Sequence, residues 1–140
     1  MTPDERAEFL EAFPNGARVL CVDDESAIGE VITKILRTQL RCRVETASSG
    51  EEALRRIARR AYDVVVVDYV MPNMDGGELY RRLERDRPEV IPRLMFITGD
   101  TLTPSTVEFI QASGRPLLEK PFGLTDLTDA IHRMLVGTTP

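Results

Sequence analysis

From Arg18 onward, short apolar runs alternate with longer stretches whose apolar residues return every three or four positions. The clearest run is Val64-Val65-Val66-Val67. Four consecutive β-branched residues read as a strand buried on both faces, as in the middle of a parallel sheet. Strands are expected at 18–22, 43–46, 63–67, 93–98 and 116–118. The first intervening helix carries Ile28, Val31, Ile32, Ile35 and Leu36 along one face. Ser49-Gly50-Glu51-Glu52 is a capping box opening the second, and Asp75-Gly76-Gly77-Glu78 opens the third in the same way. The fourth starts near Thr103-Pro104 and stops at Ser113-Gly114; the last spans 125–136 and buries Leu127, Ile131, Met134 and Leu135. Such alternation implies an α/β fold, a parallel sheet covered by helices on both faces. Ahead of it, Thr2-Pro3-Asp4-Glu5 marks the start of a short helix ending before Pro14-Asn15-Gly16. Residues 1–16 are read as a helical extension and 17–140 as one domain.

Composition narrows the reading. The 140 residues suffice for a single core. No apolar stretch approaches the roughly 18 residues of a membrane span, and no signal-peptide pattern opens the chain. No membrane insertion and a cytoplasmic location are the expectation. The net charge of −5 argues against a general nucleic-acid surface. Lys34 and Lys120 are the only lysines, and the cluster Arg55-Arg56 and Arg59-Arg60 reads as a solvated helix face. Cys21 and Cys42 lack metal-type spacing, and Cys21 is expected to be a small core residue. His132 is expected on the last helix as a partly exposed residue, neither ligand nor phosphate donor.

The chemistry lies at the strand ends. Strand one ends in Asp23-Asp24, strand three in Asp68, strand four in Thr98 and strand five in Lys120. Parallel strands bring these ends to one edge of the sheet, where open α/β folds place their sites. Clustered carboxylates repel one another and call for a cation or a raised pKa. Oxygen-only ligands favour a hard ion such as Mg²⁺. In this setting Asp68 would act as a nucleophile toward a phosphoryl group. Mg²⁺ and Lys120 would offset charge on its oxygens, and Thr98 would hydrogen-bond one of them.

Val22-Asp23-Asp24-Glu25, Asp68 with Met71-Pro72 and Met74-Asp75-Gly76, Ile97-Thr98-Gly99, and Lys120-Pro121-Phe122 occur in this order. With these motifs, residues 18–136 resemble the response-regulator receiver domain of two-component signalling. The resemblance implies a flavodoxin-like, doubly wound five-stranded parallel sheet of order 2-1-3-4-5. It implies that Asp24 and Asp68 ligate Mg²⁺ directly, that Asp23 acts through water, and that the Val70 carbonyl supplies another oxygen. Lys120 would pair with Asp68 and later with the phosphoryl group, ahead of a peptide bond to Pro121 that is often cis. The implied partner is a sensor histidine kinase or a histidine phosphotransfer domain, with no nucleic acid and no reaction on a separate substrate.

The chain departs from the common pattern at Leu117, where the family usually has an aromatic residue coupled to the strand-four Thr or Ser. Any switch would then run through strand four, the fourth helix or the loops. Val70 and Asp100 occupy positions that tune phosphoryl lifetime in the family. The stretch Ser113–Lys120 resembles receivers of hybrid kinases, so a stand-alone receiver and one excised from such a kinase are both open. A receiver retained only as a scaffold, an aspartyl-phosphate hydrolase and a flavin-binding protein are the competing readings. The last two lack an Asp-x-Asp after strand one and a Ser/Thr/Gly-rich phosphate loop, respectively.

Overall fold

The computed structural model describes residues 1–136. The final four residues of the domain expected at 17–140 therefore lie outside the described residues. Five parallel strands, β1 (Arg18–Val22), β2 (Arg43–Ala47), β3 (Val64–Asp68), β4 (Leu94–Thr98) and β5 (Leu117–Glu119), form one sheet of order β2-β1-β3-β4-β5. Among the described residues there are six α-helices: α1 (Pro3–Ala12), α2 (Ser26–Leu40), α3 (Gly50–Arg59), α4 (Gly76–Asp86), α5 (Pro104–Ser113) and α6 (Leu124–Leu135).

The valine run of β3 explains why the sheet is covered twice. Val65 and Val67 enter a core with Leu20, Phe96 and the apolar faces of α3, α4 and α5. Val64 and Val66 enter a second core with Met95, Ile97 and residues of α2, α6 and α1. Each fully buried valine contributes about 1.5–3 kcal/mol relative to exposure, so this strand has one register only. Because β3 sits between β1 and β4, its last residue, Asp68, is delivered to the centre of the sheet's carboxyl edge.

Several local readings change in the structure. Of the first helix's apolar set, Ile32 and Leu36 are buried, but Val31 is 49% exposed. Ser49 and Asp75 cap as expected, accepting from the Glu52 and Glu78 amides. Their boxes are not reciprocal. Glu52 accepts from Ser48 instead, and Glu78 from Arg82. At Thr2 both halves of the box form. A 3-10 helix over Pro88–Arg93 was not expected.

His132 is also corrected: it is buried, 8% exposed, not partly exposed. The reason is α1, which folds back on α2 and α6 and inserts Phe9 fully into the second core. The Phe9 and His132 rings lie 6.3 Å apart, and Glu5 approaches His132 Nδ1 at 3.8 Å.

Candidate functional site

Asp68 is 3% exposed, and its two oxygens have different partners. Oδ1 accepts from the Val70 amide at 3.2 Å and Oδ2 from Lys120 Nζ at 3.1 Å. Asp23, just beyond β1, is arranged in the same way: Oδ1 accepts from the Glu25 amide at 2.8 Å, Oδ2 from Lys120 Nζ at 3.1 Å. The turn at Asp23 folds Glu25 back, so that Glu25 Oε1 lies 3.7 Å from the same ammonium. Lys120 itself is held by its backbone, whose N–H donates to the Thr98 carbonyl at 2.9 Å, and is followed by a cis peptide bond to Pro121.

The electrostatics follow from this crowding. Burial, together with the charge of Asp23, pushes the Asp68 carboxyl up to about 6, against the pull of Lys120. For Lys120, burial disfavours the charge, but hydrogen bonds to Asp23 and Asp68 outweigh it and raise the pKa. One cation thus faces three carboxylates, and the site retains negative charge. Beneath it, burial pushes the Cys21 thiol up to about 12, which makes it an inert core residue as expected.

Thr98 is buried at the end of β4, one residue beyond the Ile97 that pairs with Asp68. Its Oγ1 accepts from the Asp100 amide at 2.9 Å. The Asp100 carboxylate is engaged by the start of α5. It accepts from the Leu102 and Thr103 amides at 3.3 and 3.1 Å and from Thr106 Oγ1 at 3.4 Å. Those bonds, the Thr103 pair foremost, lower its pKa.

Of the residues expected here, the structure brings together Asp23, Asp68 and Lys120, with Thr98 on the adjoining strand end. Asp24 is exposed and lines a neighbouring cleft with Ser26, Gly29 and Thr46. Val70 is exposed and meets Asp68 through its amide. Glu25 belongs to the Val22-Asp23-Asp24-Glu25 motif, which does not by itself mark it as a partner of Lys120. Its signal was the position two residues after Asp23, where an aspartate commonly folds the chain back on itself.

Carboxylate oxygens of Asp23, Glu25 and Asp68 lie within 4.8 Å of one another. An all-oxygen set of this kind fits a hard divalent ion. Among the described residues, no helix is long and apolar enough to cross a membrane.

Comparison with known proteins agrees with this geometry. The model of the response regulator receiver domain family matches residues 19–132. The response regulator MprA of Mycobacterium leprae is 35% identical over 123 residues, covering 88% of this chain and 53% of the relative. The chain thus spans about half the length of MprA. The response regulator receiver protein CpdR of Brucella abortus is 30% identical over 120 residues, covering 86% of this chain and 98% of the relative. The structure of Vibrio cholerae chemotaxis protein CheY4 superposes with a TM-score of 0.76 at 30% identity, covering 86% of this chain and 99% of that one. With its sheet order, its buried Asp23 and Asp68 and the lysine that bridges them, this chain belongs to the response regulator receiver domains of two-component signalling.

Proposed function

We propose that Asp68 is the phosphoacceptor of this receiver and that Lys120, Thr98 and the acidic group around Asp23 assist the transfer. The observation that carries the reading is the bridge from Lys120 Nζ to both Asp23 and Asp68, 3.1 Å to each. One ammonium holding two buried carboxylates favours the Asp68 anion, the nucleophilic form, against burial and the charge of Asp23.

In the transfer, an Asp68 carboxylate oxygen attacks the phosphorus of a phosphohistidine. The phosphorus–nitrogen bond breaks, the imidazole leaves with its electron pair, and an acyl phosphate remains on Asp68. Lys120 then turns from the aspartate pair toward the phosphoryl oxygens, and the Thr98 hydroxyl donates to one of them. Asp24, Asp68 and the Val70 carbonyl are the groups that would hold Mg²⁺, with Asp23 acting through water and Glu25 as an additional carboxylate. When bound, Mg²⁺ supplies positive charge against the phosphoryl oxygens and relieves repulsion among the carboxylates. The donor is a sensor histidine kinase or a histidine phosphotransfer domain, and the chain acts as a switch, not as an enzyme on a separate substrate.

Incubation with acetyl phosphate and Mg²⁺, read by intact mass, tests this. One phosphoryl group is expected on the unmutated chain and none on Asp68→Asn. Equal labelling of both proteins would place the acceptor elsewhere.

A further inference from the structure

A concentration of unpaired positive charge lies away from Asp68, along the outer side of β2. β2 is an edge strand, paired on one side only, by β1. The Arg43 N–H donates inward to the Ala17 carbonyl, and the Ala47 carbonyl accepts inward from the Asp23 amide. Strand hydrogen-bonding directions alternate, so the N–H and C=O groups of Val44 and Thr46 face outward, without a partner strand.

A hollow of about 440 Å³ crosses this edge, with Arg43, Val44 and Glu45 in its floor. Arg37 and Arg41, at the end of α2, flank it on one side, and Arg60, just past α3, on the other. A second hollow, of about 390 Å³, continues along α3 past Arg55 and Arg59. Glu45 is already saturated by Arg60 at 2.7 Å, Arg56 at 3.3 Å, Arg18 at 3.8 Å and the Tyr62 hydroxyl at 2.6 Å. Arg37, Arg41, Arg43, Arg55 and Arg59 are exposed and, among the described residues, form no ion pair. In a chain of net charge −5, this is a strongly polarised surface.

We propose that this edge docks an extended acidic segment of a partner protein, added as a further strand beside β2. A strand in that position projects alternate side chains to opposite faces of the sheet. Four of the free arginines are distributed in the same manner, Arg37 and Arg41 at the end of α2 over one face and Arg55 and Arg59 on α3 over the other. Carboxylates on an extended peptide therefore meet a cation whichever way they point, while the main chain satisfies Val44 and Thr46. A nucleic acid suits the surface less well, because its continuous line of phosphates would run over Glu45 and Glu52. The same arginines repel the β2 edge of a second copy, which keeps the open strand from pairing with itself.

Fluorescence anisotropy of a labelled polyglutamate peptide, titrated with the full chain, tests the proposal. Binding is expected at low salt, and it should weaken as salt rises. The double variant Arg41→Glu/Arg59→Glu should bind roughly tenfold more weakly, while Arg85→Glu on α4 leaves binding unchanged. Circular dichroism establishes that both variants are folded. Amide exchange at Val44 and Thr46 should slow in the complex, which charge attraction alone would not cause. Absence of binding at low salt, indifference to the double variant, unchanged exchange at Val44 and Thr46, or equal affinity for duplex DNA would each overturn the proposal.

Discussion

The amide of Asp100 donates to the Thr98 hydroxyl oxygen at 2.9 Å, and the Asp100 carboxylate in turn holds the first turn of α5 through Thr103 and Thr106. Thr103, the cap residue of α5, makes no side-chain capping bond of its own. Asp100 thus links the site threonine to a helix. If the Thr98 hydroxyl swings toward a phosphoryl oxygen and leaves the Asp100 amide without this acceptor, the start of α5 is expected to rearrange. Leu117, 39% exposed on the edge strand β5, offers no aromatic ring for an alternative route. For Asp100→Ala, phosphorylation of Asp68 should persist, while phosphorylation-induced chemical-shift changes at Thr103 and Thr106 largely disappear. Changes as large as in the unmutated protein would show that α5 is coupled by some other path.

Lys120 bridges two buried carboxylates at once, so its removal should be felt in both stability and chemistry. Lys120→Ala leaves Asp23 and Asp68 facing each other and is expected to lower stability by roughly 1–3 kcal/mol at neutral pH, allowing for solvent near the lysine. The phosphotransfer rate should fall sharply while Mg²⁺ affinity is retained or strengthened, because a competing cation is gone. Denaturant unfolding, single-turnover transfer and metal titration separate the three effects. Loss of Mg²⁺ binding would contradict the role given to the lysine.

Asp68 carries a sign that can be measured. Its carboxyl is raised to about 6 by burial and by Asp23, above the usual value of 3.8. In that window the folded chain binds a proton that the unfolded chain does not, so this group adds stability on acidification and loses it as pH rises through 6. Without metal, Asp68→Asn should therefore be more stable than the unmutated protein at pH 8, by about 1–2 kcal/mol, with the gap closing toward pH 4.5. Unfolding curves across that range, in the presence of a chelator, provide the test; a gap that widens on acidification would mean that Asp68 is stabilised as the anion.

What could be read in advance was whatever is encoded locally. The valine run, the one-face pattern of α2 and the caps at Ser49, Asp75 and Gly114 act over a few residues, and strands and helices fell where these features put them. The 3-10 helix at Pro88–Arg93 is too short for any periodicity, and its two prolines read as breakers. His132 is buried only because α1 returns from the other end of the chain. At the site, order along the sequence assembled Asp23, Asp68, Thr98 and Lys120 through the parallel sheet. It could not say which of two adjacent aspartates faces inward, since neighbouring residues point in different directions. Nor could it disclose that the turn at Asp23 brings Glu25 to the lysine.

Two glycines separate packing from backbone conformation. At Gly76, the first residue of α4, the amide donates to the Tyr69 carbonyl at 2.8 Å. A Cβ there would lie 2.8 Å from Tyr69 Cα and 3.2 Å from the Asp68 carbonyl oxygen, against backbone that cannot swing aside. Gly114 ends α5 with φ of +69° and has open space around it. Gly114→Ala should cost about 1 kcal/mol from conformation alone and leave phosphorylation untouched. Gly76→Ala should cost more, about 2–4 kcal/mol, and slow phosphorylation as well, because relief of the contact displaces the end of β3 that carries Asp68. Thermal unfolding and acetyl-phosphate labelling of the two variants side by side decide the point. If Gly76→Ala lost stability without loss of labelling rate, the close approach of α4 would serve the core and not the position of Asp68.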